Sequence, residues 1–424
     1  MKNTIELKQG IKMHLISSKA YKTDISCVFL TTALTRENVT YNALIPFLLR
    51  RGTNTFKDQY IINQKLDNMY GATFNLGIDK YGDNVVLKFY IESINNEYAF
   101  DSENILKESI NMLIDIVFNP LKKDGKLNEE FLEVEKDNLR KVIESKIDDK
   151  DSYALDSCIS SMYGENGFGL YKYGYLEDID NITIDSITDY YNHLIDNAKI
   201  DIFVSGNINA EEVKKYVEEN ENINLLKPRI ENYKLNNEFT ESKEKVEKPK
   251  EIFEQMNVTQ GKLVIGLDIL EKVDNFQATA IMFNSILGDG ANSMLFQNVR
   301  EKEGLAYSAR SSFVKQKLNI FIRCGIQIEN YNKALEKIKE QLENIKNGNF
   351  TEENIENAKT YLISGIKNIK EEQDTEIVFY IGQEISKTNL EPDEYINRIK
   401  DVKKEDIVNF AKLIQINTIY FLKN

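Results

Sequence analysis

The sequence repeats one pattern twice, and this internal repeat constrains the fold more than any other feature. In the first half, a helical segment ends at Gly71 and is followed by alternating polar and apolar residues at 84–91. In the second half, a helical segment ends at Gly304 and a similar alternation follows at 318–326. A glycine exit followed by alternating polarity is typical of a helix that leads into β-strands.

Each half therefore combines antiparallel strands with long helices, and helices that start near residues 128 and 351 extend the repeat. The pattern predicts an α+β protein with two tandem domains, each an antiparallel-rich sheet with helices packed on one side. The predicted domains are residues 1–225 and 253–424. Residues 226–252 are charged and contain prolines, which predicts a linker, with an extended strand pair as the alternative.

Charge and cysteine content exclude several classes of protein. The net charge of −14 and the pI near 5.0 disfavour binding to nucleic acid, because its phosphates would be repelled. No uncharged run is long enough for a membrane helix, and the first residues lack the apolar core of a secretory signal. Three dispersed cysteines, Cys27, Cys158 and Cys324, indicate reduced thiols. These features predict a cytoplasmic protein.

Residues 41–53 carry the first recognisable motif, an apolar segment that ends in a basic pair and Gly-Thr. The segment resembles the active-site helix of the pitrilysin/insulinase family of zinc peptidases, in which H-x-x-E-H precedes the same Gly-Thr. Two histidines four residues apart share one helix face and can bind one zinc ion, and the glutamate acts as general base. Aligned on Gly-Thr, the three positions hold Ala43, Pro46 and Phe47, which can neither bind zinc nor accept a proton.

The family's third zinc ligand is a glutamate that follows another glutamate by seven residues on a later helix. The resemblance places Glu135 at the first of these positions and Val142 at the ligand position. Glu144 would face away, because two residues rotate a helix by about 200°. We interpret Glu133, Glu135 and Glu144 as a solvated helix face. The resemblance thus implies a degenerate zinc site in which every ligand is missing.

Pro46 also constrains where its helix begins. Proline has no N–H and is tolerated mainly in the first turn of a helix. A helix capped by Thr40 or Asn42 would accommodate it there.

The chain has two histidines, His14 and His193. His14 has no potential ligand at helical spacing. His193 lies four residues after Asp189 and three before Asp196, so a weak metal site is one interpretation and a solvated helix face is the other. We favour the solvated face and predict no metal in this chain.

The strongest resemblance covers residues 286–308 in the second half. It shares with the family's second domain a glycine-rich turn, Leu-Phe and then Arg-x-K-E-x-L-x-Tyr. The glycine-rich turn lacks the other residues of a phosphate-binding motif, so we interpret it as a tight turn. In active members that Arg and Tyr contact the substrate carbonyl and the developing oxyanion, and the resemblance assigns these roles to Arg300 and Tyr307. A permanent charge and a directional O–H suit that task. Alternatively, Arg300 pairs with a nearby acid such as Glu303, and Tyr307 is an ordinary strand aromatic.

The resemblance implies that the chain does not hydrolyse peptides alone. The leading hypothesis is the non-catalytic subunit of a heterodimer, similar to the division of labour in the mitochondrial processing peptidase. The chain would help to enclose a peptide substrate and would supply Arg300 and Tyr307 to an H-x-x-E-H partner. Zinc is expected in that partner, and no cofactor in this chain. The alternative is a catalytically inert peptide-binding or scaffold homologue that acts as a homodimer.

Overall fold

A computed structural model describes residues 2–100, 103–229 and 243–424 of the chain. In chain order, the strands are β1 (Lys2–Lys8), β2 (Ile11–Ser17), β3 (Thr23–Ala33), β4 (Thr73–Tyr81), β5 (Asn84–Ile94), β6 (Lys122–Lys123), β7 (Lys126–Leu127), β8 (Lys199–Gly206), β9 (Lys250–Gln255), β10 (Gly261–Ile269), β11 (Ala306–Val314), β12 (Asn319–Ile326) and β13 (Ile414–Lys423). The helices are α1 (Val39–Leu49), α2 (Gln59–Asn68), α3 (Ile105–Phe118), α4 (Glu129–Glu144), α5 (Lys150–Tyr163), α6 (Leu176–Ile179), α7 (Ile184–Asn197), α8 (Ala210–Glu218), α9 (Glu221–Leu225), α10 (Phe276–Gly288), α11 (Tyr331–Lys346), α12 (Glu352–Asn368), α13 (Gln373–Ile385), α14 (Pro392–Lys400) and α15 (Lys404–Lys412), with a π-helix at Leu295–Lys302. No helix within the described ranges is both long and apolar enough to cross a membrane.

The chain divides into two compact units, and each unit includes a helix from the opposite half of the sequence. The first unit takes in most of the N-terminal half together with Lys370–Ile385, which contains α13. The second takes in most of the C-terminal half together with Lys146–Glu165, which contains α5. The domain boundaries predicted from the sequence do not include this exchange. Of the predicted linker, residues 230–242 lie outside the described residues, and β9 begins within its last part.

The first unit contains a six-stranded sheet in the order β1-β2-β8-β3-β5-β4. β2 and β8 are parallel, and the other neighbouring strands are antiparallel. Successive side chains of a strand point to opposite faces of a sheet. On β3, Val28 and Leu30 join the main core, whereas Cys27 and Phe29 join a smaller cluster with Ile381 of α13. Both faces of this sheet are therefore buried, one of them by the exchanged helix.

The second unit contains a five-stranded sheet in the order β11-β12-β10-β13-β9. Only β13 and β9 run parallel. Apolar residues of β10, such as Ile265 and Leu267, join the core on one face. α5 packs against β10 and β13, where a Cβ at Gly266 would lie 2.3 Å from the sulfur of Met162. The absence of a side chain at Gly266 is what lets α5 approach the strand so closely.

The internal repeat predicted from the sequence is present in the structure. Gly71 (φ +73°) follows α2 and leads to β4, and Gly304 (φ +62°) follows the π-helix and leads to β11. Both glycines adopt the left-handed backbone that ends a helix without strain. The predicted α+β class is confirmed, with an antiparallel-rich sheet in each unit.

Candidate functional site

The helix that resembles an active-site helix is α1, and it begins earlier than predicted. Its N-cap is Asn38, so the prediction that Thr40 or Asn42 caps it is wrong. The hydroxyl of Thr40 instead donates to Asp178 Oδ2 at 2.5 Å, and the Asn42 side chain accepts from Tyr190. Pro46 consequently lies inside the helix, where its missing N–H leaves the Asn42 carbonyl without the usual helical donor.

The positions that correspond to the family's zinc ligands carry apolar packing groups. Ala43 and Pro46 are buried, and Phe47 packs against the core of the first unit. Val142 is half-buried on α4, the helix that packs against α1. The structure thus brings α1 and α4 together, and the four positions that the resemblance assigns to the zinc site offer no ligand atom.

Glu135 corrects the interpretation of α4 as a solvated face. Its side chain is only 2% exposed, and its Oε1 accepts a hydrogen bond of 2.5 Å from Arg51 Nε just beyond α1. Asn138 donates to the second carboxylate oxygen at 3.1 Å. A carboxylate can be buried when a paired cation and further hydrogen bonds compensate it. Glu133 and Glu144 are exposed, as predicted.

Arg300 lies on the π-helix Leu295–Lys302, an irregular helix type that is rare and often found at functional sites. Its guanidinium carbon lies 4.5 Å from the centre of the Phe296 ring, and its Nη1 lies 3.4 Å from Glu301. The side chain is 39% exposed. The contact with Glu301 agrees with the alternative interpretation, in which Arg300 pairs with a nearby acid, although the acid named there, Glu303, is instead near Lys337 Nζ, at 3.5 Å.

Tyr307 lies in a β-bulge at the start of β11. Ala306 pairs with Ile326 and Ser308 pairs with Gly325, so Tyr307 is an extra residue without a partner in the register. Bulges of this kind redirect a side chain and are common near active sites. The Tyr307 side chain is 61% exposed, and its hydroxyl oxygen accepts from Gln327 Nε2 at 3.4 Å.

The glycine-rich turn before the π-helix is a turn, as the sequence indicates. Gly290 adopts a φ of +107°, a value that favours glycine. At Gly288, a Cβ would lie 2.7 Å from the backbone nitrogen of Ser311 on β11. Glycine at this position therefore permits the close approach of α10 to β11.

A buried charged cluster in the first unit was not predicted from the sequence. His14 on β2 bonds Asp201 on β8, with 2.9 Å between Nε2 and Oδ1, and its ring stacks on Phe203. Potential ligand atoms of His14, Asp201 and Glu384 lie within 4.8 Å of one another, the one such group found within the described ranges. Only the strand register and the exchanged helix bring these residues together, because they are far apart in the sequence.

Lysines neutralise this cluster. Lys199 Nζ lies 3.0 Å from Asp201 Oδ2 and 3.4 Å from Glu384 Oε2. Lys12 donates to Glu384 at 3.0 Å. Burial would raise the pKa of Glu384, but the bond from Lys12 and the charge of Lys199 outweigh it and lower that pKa to about 2. Lys199 and Lys12 thus supply the positive charge that stabilises the two buried carboxylates.

His193 lies apart from any such group. It is exposed on α7, and its Nδ1 contacts Asn197 Nδ2 at 3.2 Å. Asp196 contacts Lys227 at 2.9 Å. The cysteines Cys27, Cys158 and Cys324 are free and buried, and burial raises the pKa of the Cys158 and Cys324 thiols to about 12.

The sequence and structure match known proteins along the whole chain. Residues 181–362 match the family described as Peptidase M16 inactive domain. The probable inactive metalloprotease YmfF of Bacillus subtilis is 28% identical over 421 residues, covering 98% of this chain and 96% of that protein. A conserved protein from Enterococcus faecalis V583 has a TM-score of 0.89 at 27% identity, covering 100% of this chain and 98% of that chain. A peptidase M16 inactive domain from Pseudomonas fluorescens shares the fold, with a TM-score of 0.78, 17% identity and coverage of 100% and 98%.

This fold is shared with proteins described as M16 peptidase homologues, and the positions on α1 and α4 that the resemblance assigns to zinc ligands carry apolar side chains. The similarity of this chain to the M16 inactive domain and to a probable inactive metalloprotease confirms the resemblance to the pitrilysin/insulinase family inferred from the sequence.

Proposed function

We propose that this chain is the non-catalytic subunit of a heterodimeric zinc peptidase. In this proposal the chain encloses peptide substrate together with an H-x-x-E-H partner and supplies Arg300 and Tyr307 to the partner's zinc site. The partner would hold the zinc, polarise the substrate carbonyl and activate water. This chain would contribute a guanidinium and a phenol that stabilise the negative charge developing on the carbonyl oxygen.

One observation carries the proposal: the half-buried Arg300 and the exposed Tyr307 both lie on irregular backbone with their polar groups accessible. Arg300 lies on a π-helix and Tyr307 in a β-bulge, so neither position is what regular packing alone would select. Leu295 and Val299 anchor the same π-helix in the core, so the segment is held firmly while Arg300 remains accessible. A homologue that served only as a scaffold would have no need to keep both polar groups at the surface.

The test is to co-express the chain with the H-x-x-E-H homologue of the same organism and to compare peptide hydrolysis by the purified complex. Arg300→Ala and Tyr307→Phe are expected to lower kcat by about 10²–10³-fold, the usual effect of removing one oxyanion donor. The complex should still assemble, because both changes remove exposed polar groups. Tyr361→Phe, at another exposed tyrosine of the same unit, is the matched control and should leave kcat unchanged.

Unchanged turnover of both variants in an intact complex would contradict the proposal. Failure to assemble with the H-x-x-E-H chain, together with a stable homodimer of this chain alone, would favour the inert peptide-binding or scaffold function.

A further inference from the structure

We infer that Phe296 and Gln327 are positioning residues for Arg300 and Tyr307. The inference rests on the proposed function, because it concerns how the two donors are held before a substrate arrives. Donors that are fixed in advance stabilise a developing charge more effectively than donors that must first become ordered. Each exposed side chain therefore needs a neighbour that limits its freedom.

The Phe296 ring contacts the Arg300 guanidinium and limits its movement. The two residues are four apart on the same π-helix, and the guanidinium carbon lies 4.5 Å from the ring centre. Phe296 is half-buried, and its neighbour in the chain, Leu295, is anchored in the core. A guanidinium over an aromatic face keeps its N–H groups free at the rim, because they lie in its own plane. The contact with the ring thus restricts Arg300 without using its N–H donors, while Nη1 also lies 3.4 Å from Glu301.

Gln327 sets the direction of the Tyr307 hydroxyl. It follows Ile326, whose register partner Ala306 precedes Tyr307, so the strand pairing places the two side chains together. Gln327 Nε2 donates to Tyr307 Oη at 3.4 Å, and Asn330 Nδ2 donates to Gln327 Oε1 at 3.2 Å. The bond from Asn330 orients the amide so that its nitrogen faces the tyrosine. An amide nitrogen can only donate, so the phenol proton stays available for a substrate oxygen.

The first experiment uses the isolated chain and does not depend on a partner. The Arg300 Nε–Hε resonance should show a ring-current shift in the NMR spectrum of the full-length protein. Phe296→Leu should abolish this shift, and Phe296→Tyr should retain it. A resonance that does not respond to Phe296→Leu would overturn the role of Phe296, whatever the activity of the complex.

The second experiment measures kinetics in the complex. Phe296→Leu should lower kcat by about two- to fivefold at unchanged KM, and Phe296→Tyr should restore it. Gln327→Met should lower kcat by about two- to tenfold. Gln327→Glu should lower it at least as much, because a carboxylate accepts the phenol proton instead of leaving it free. Glu329→Gln, an exposed neighbour, is the control.

A double-mutant cycle separates this inference from the proposed function. In a Tyr307→Phe background, the two Gln327 substitutions should have no further effect on kcat, because the hydroxyl that Gln327 contacts is absent. Equal losses in both backgrounds would overturn the positioning role of Gln327. If Tyr307→Phe itself leaves kcat unchanged, the proposed role of Tyr307 and the role of Gln327 both fail, while Arg300→Ala still tests the proposed function and the ring-current shift still decides the role of Phe296.

Discussion

Glu384 of α13 accepts a hydrogen bond from Lys12 of β2, with 3.0 Å between Lys12 Nζ and Glu384 Oε2. Lys199 Nζ on β8 lies 3.4 Å from the same oxygen. These contacts join a helix from the C-terminal half of the sequence to strands from the N-terminal half, within the first unit. The carboxylate therefore acts with the apolar contacts of α13 to hold the exchanged helix on the sheet.

Glu384→Gln is expected to lower the free energy of unfolding by on the order of 1–3 kcal/mol, because lysines beside a largely buried position lose their counter-charge. This loss of unfolding free energy is smaller than the loss expected for a fully buried ion pair, because solvent reaches part of the cluster. Urea unfolding at neutral pH measures it. Glu356→Gln, at an exposed glutamate on α12 whose side chain is 71% exposed, should change stability by less than about 0.5 kcal/mol. Equal effects of both substitutions would contradict the role of Glu384.

The contribution of Glu384 should also depend on pH. Its pKa is lowered from 4.5 to about 2, so the folded state keeps it charged where the unfolded state protonates it. A lowered carboxyl pKa gives stability that is full above the unfolded pKa and is lost as pH falls through the folded pKa. The difference in unfolding free energy between the native protein and Glu384→Gln should therefore shrink from about pH 4.5 towards pH 2. A difference that stays constant over this range would argue against the ion pair.

Asp24 on β3 should show the opposite dependence. Burial raises its pKa from 3.8 to about 6, although Asn95 Nδ2 donates to both carboxylate oxygens at 3.0 Å. Between pH 3.8 and about pH 6, Asp24 is therefore mostly protonated in the folded state and mostly ionised in the unfolded state. The contribution of Asp24 to stability consequently falls as pH rises from about 4 to 6. Asp24→Asn removes this dependence, so its stability relative to the native protein should improve by on the order of 2 kcal/mol between pH 4 and pH 7. Asp401→Asn, at an exposed residue, should show no such trend.

The pair Arg51 and Glu135 should behave as a coupled unit. Arg51→Met leaves a buried carboxylate on α4 without its cation, which is expected to destabilise the protein by about 3 kcal/mol. Arg51→Met with Glu135→Met removes both charges and should recover a substantial part of that loss. Thermal and urea unfolding of the two single variants and the double variant measure the coupling. Additive losses in the double variant would show that the two side chains act independently.

Restoring the zinc motif in this chain is not expected to restore activity. The variant with Ala43→His, Pro46→Glu, Phe47→His and Val142→Glu supplies the ligands and the base only. Ligating histidines also need neighbours that fix their orientation, and here the four positions are occupied by packing groups. Elemental analysis and hydrolysis of an unstructured peptide test the variant, and chelator-sensitive hydrolysis by the chain alone would refute the prediction.

Much of the fold could be predicted because it depends on local patterns. Glycine exits and alternating apolar residues predicted the repeat and the α+β class, whereas the site positions assigned to Ala43 and Arg300 from aligned motifs stay predictions. The burial of Glu135 could not be predicted, because its helix face looks solvated unless Arg51 is known to approach it. The position of Pro46 within α1 could not be predicted either. Thr40 and Asn42, the expected caps, form hydrogen bonds with side chains from distant parts of the chain instead.

The sequence by itself determined that Ala43, Pro46, Phe47 and Val142 cannot bind zinc. A side chain without a ligand atom cannot bind zinc in any fold. The sequence also determined the repeat, since periodicity follows from local backbone geometry. Only the tertiary structure decided which helix covers which sheet, because α5 and α13 each pack on a sheet formed by the opposite half of the sequence. It alone assembled His14, Asp201 and Glu384, whose contact depends on strand register and the exchanged helix rather than on spacing along the chain.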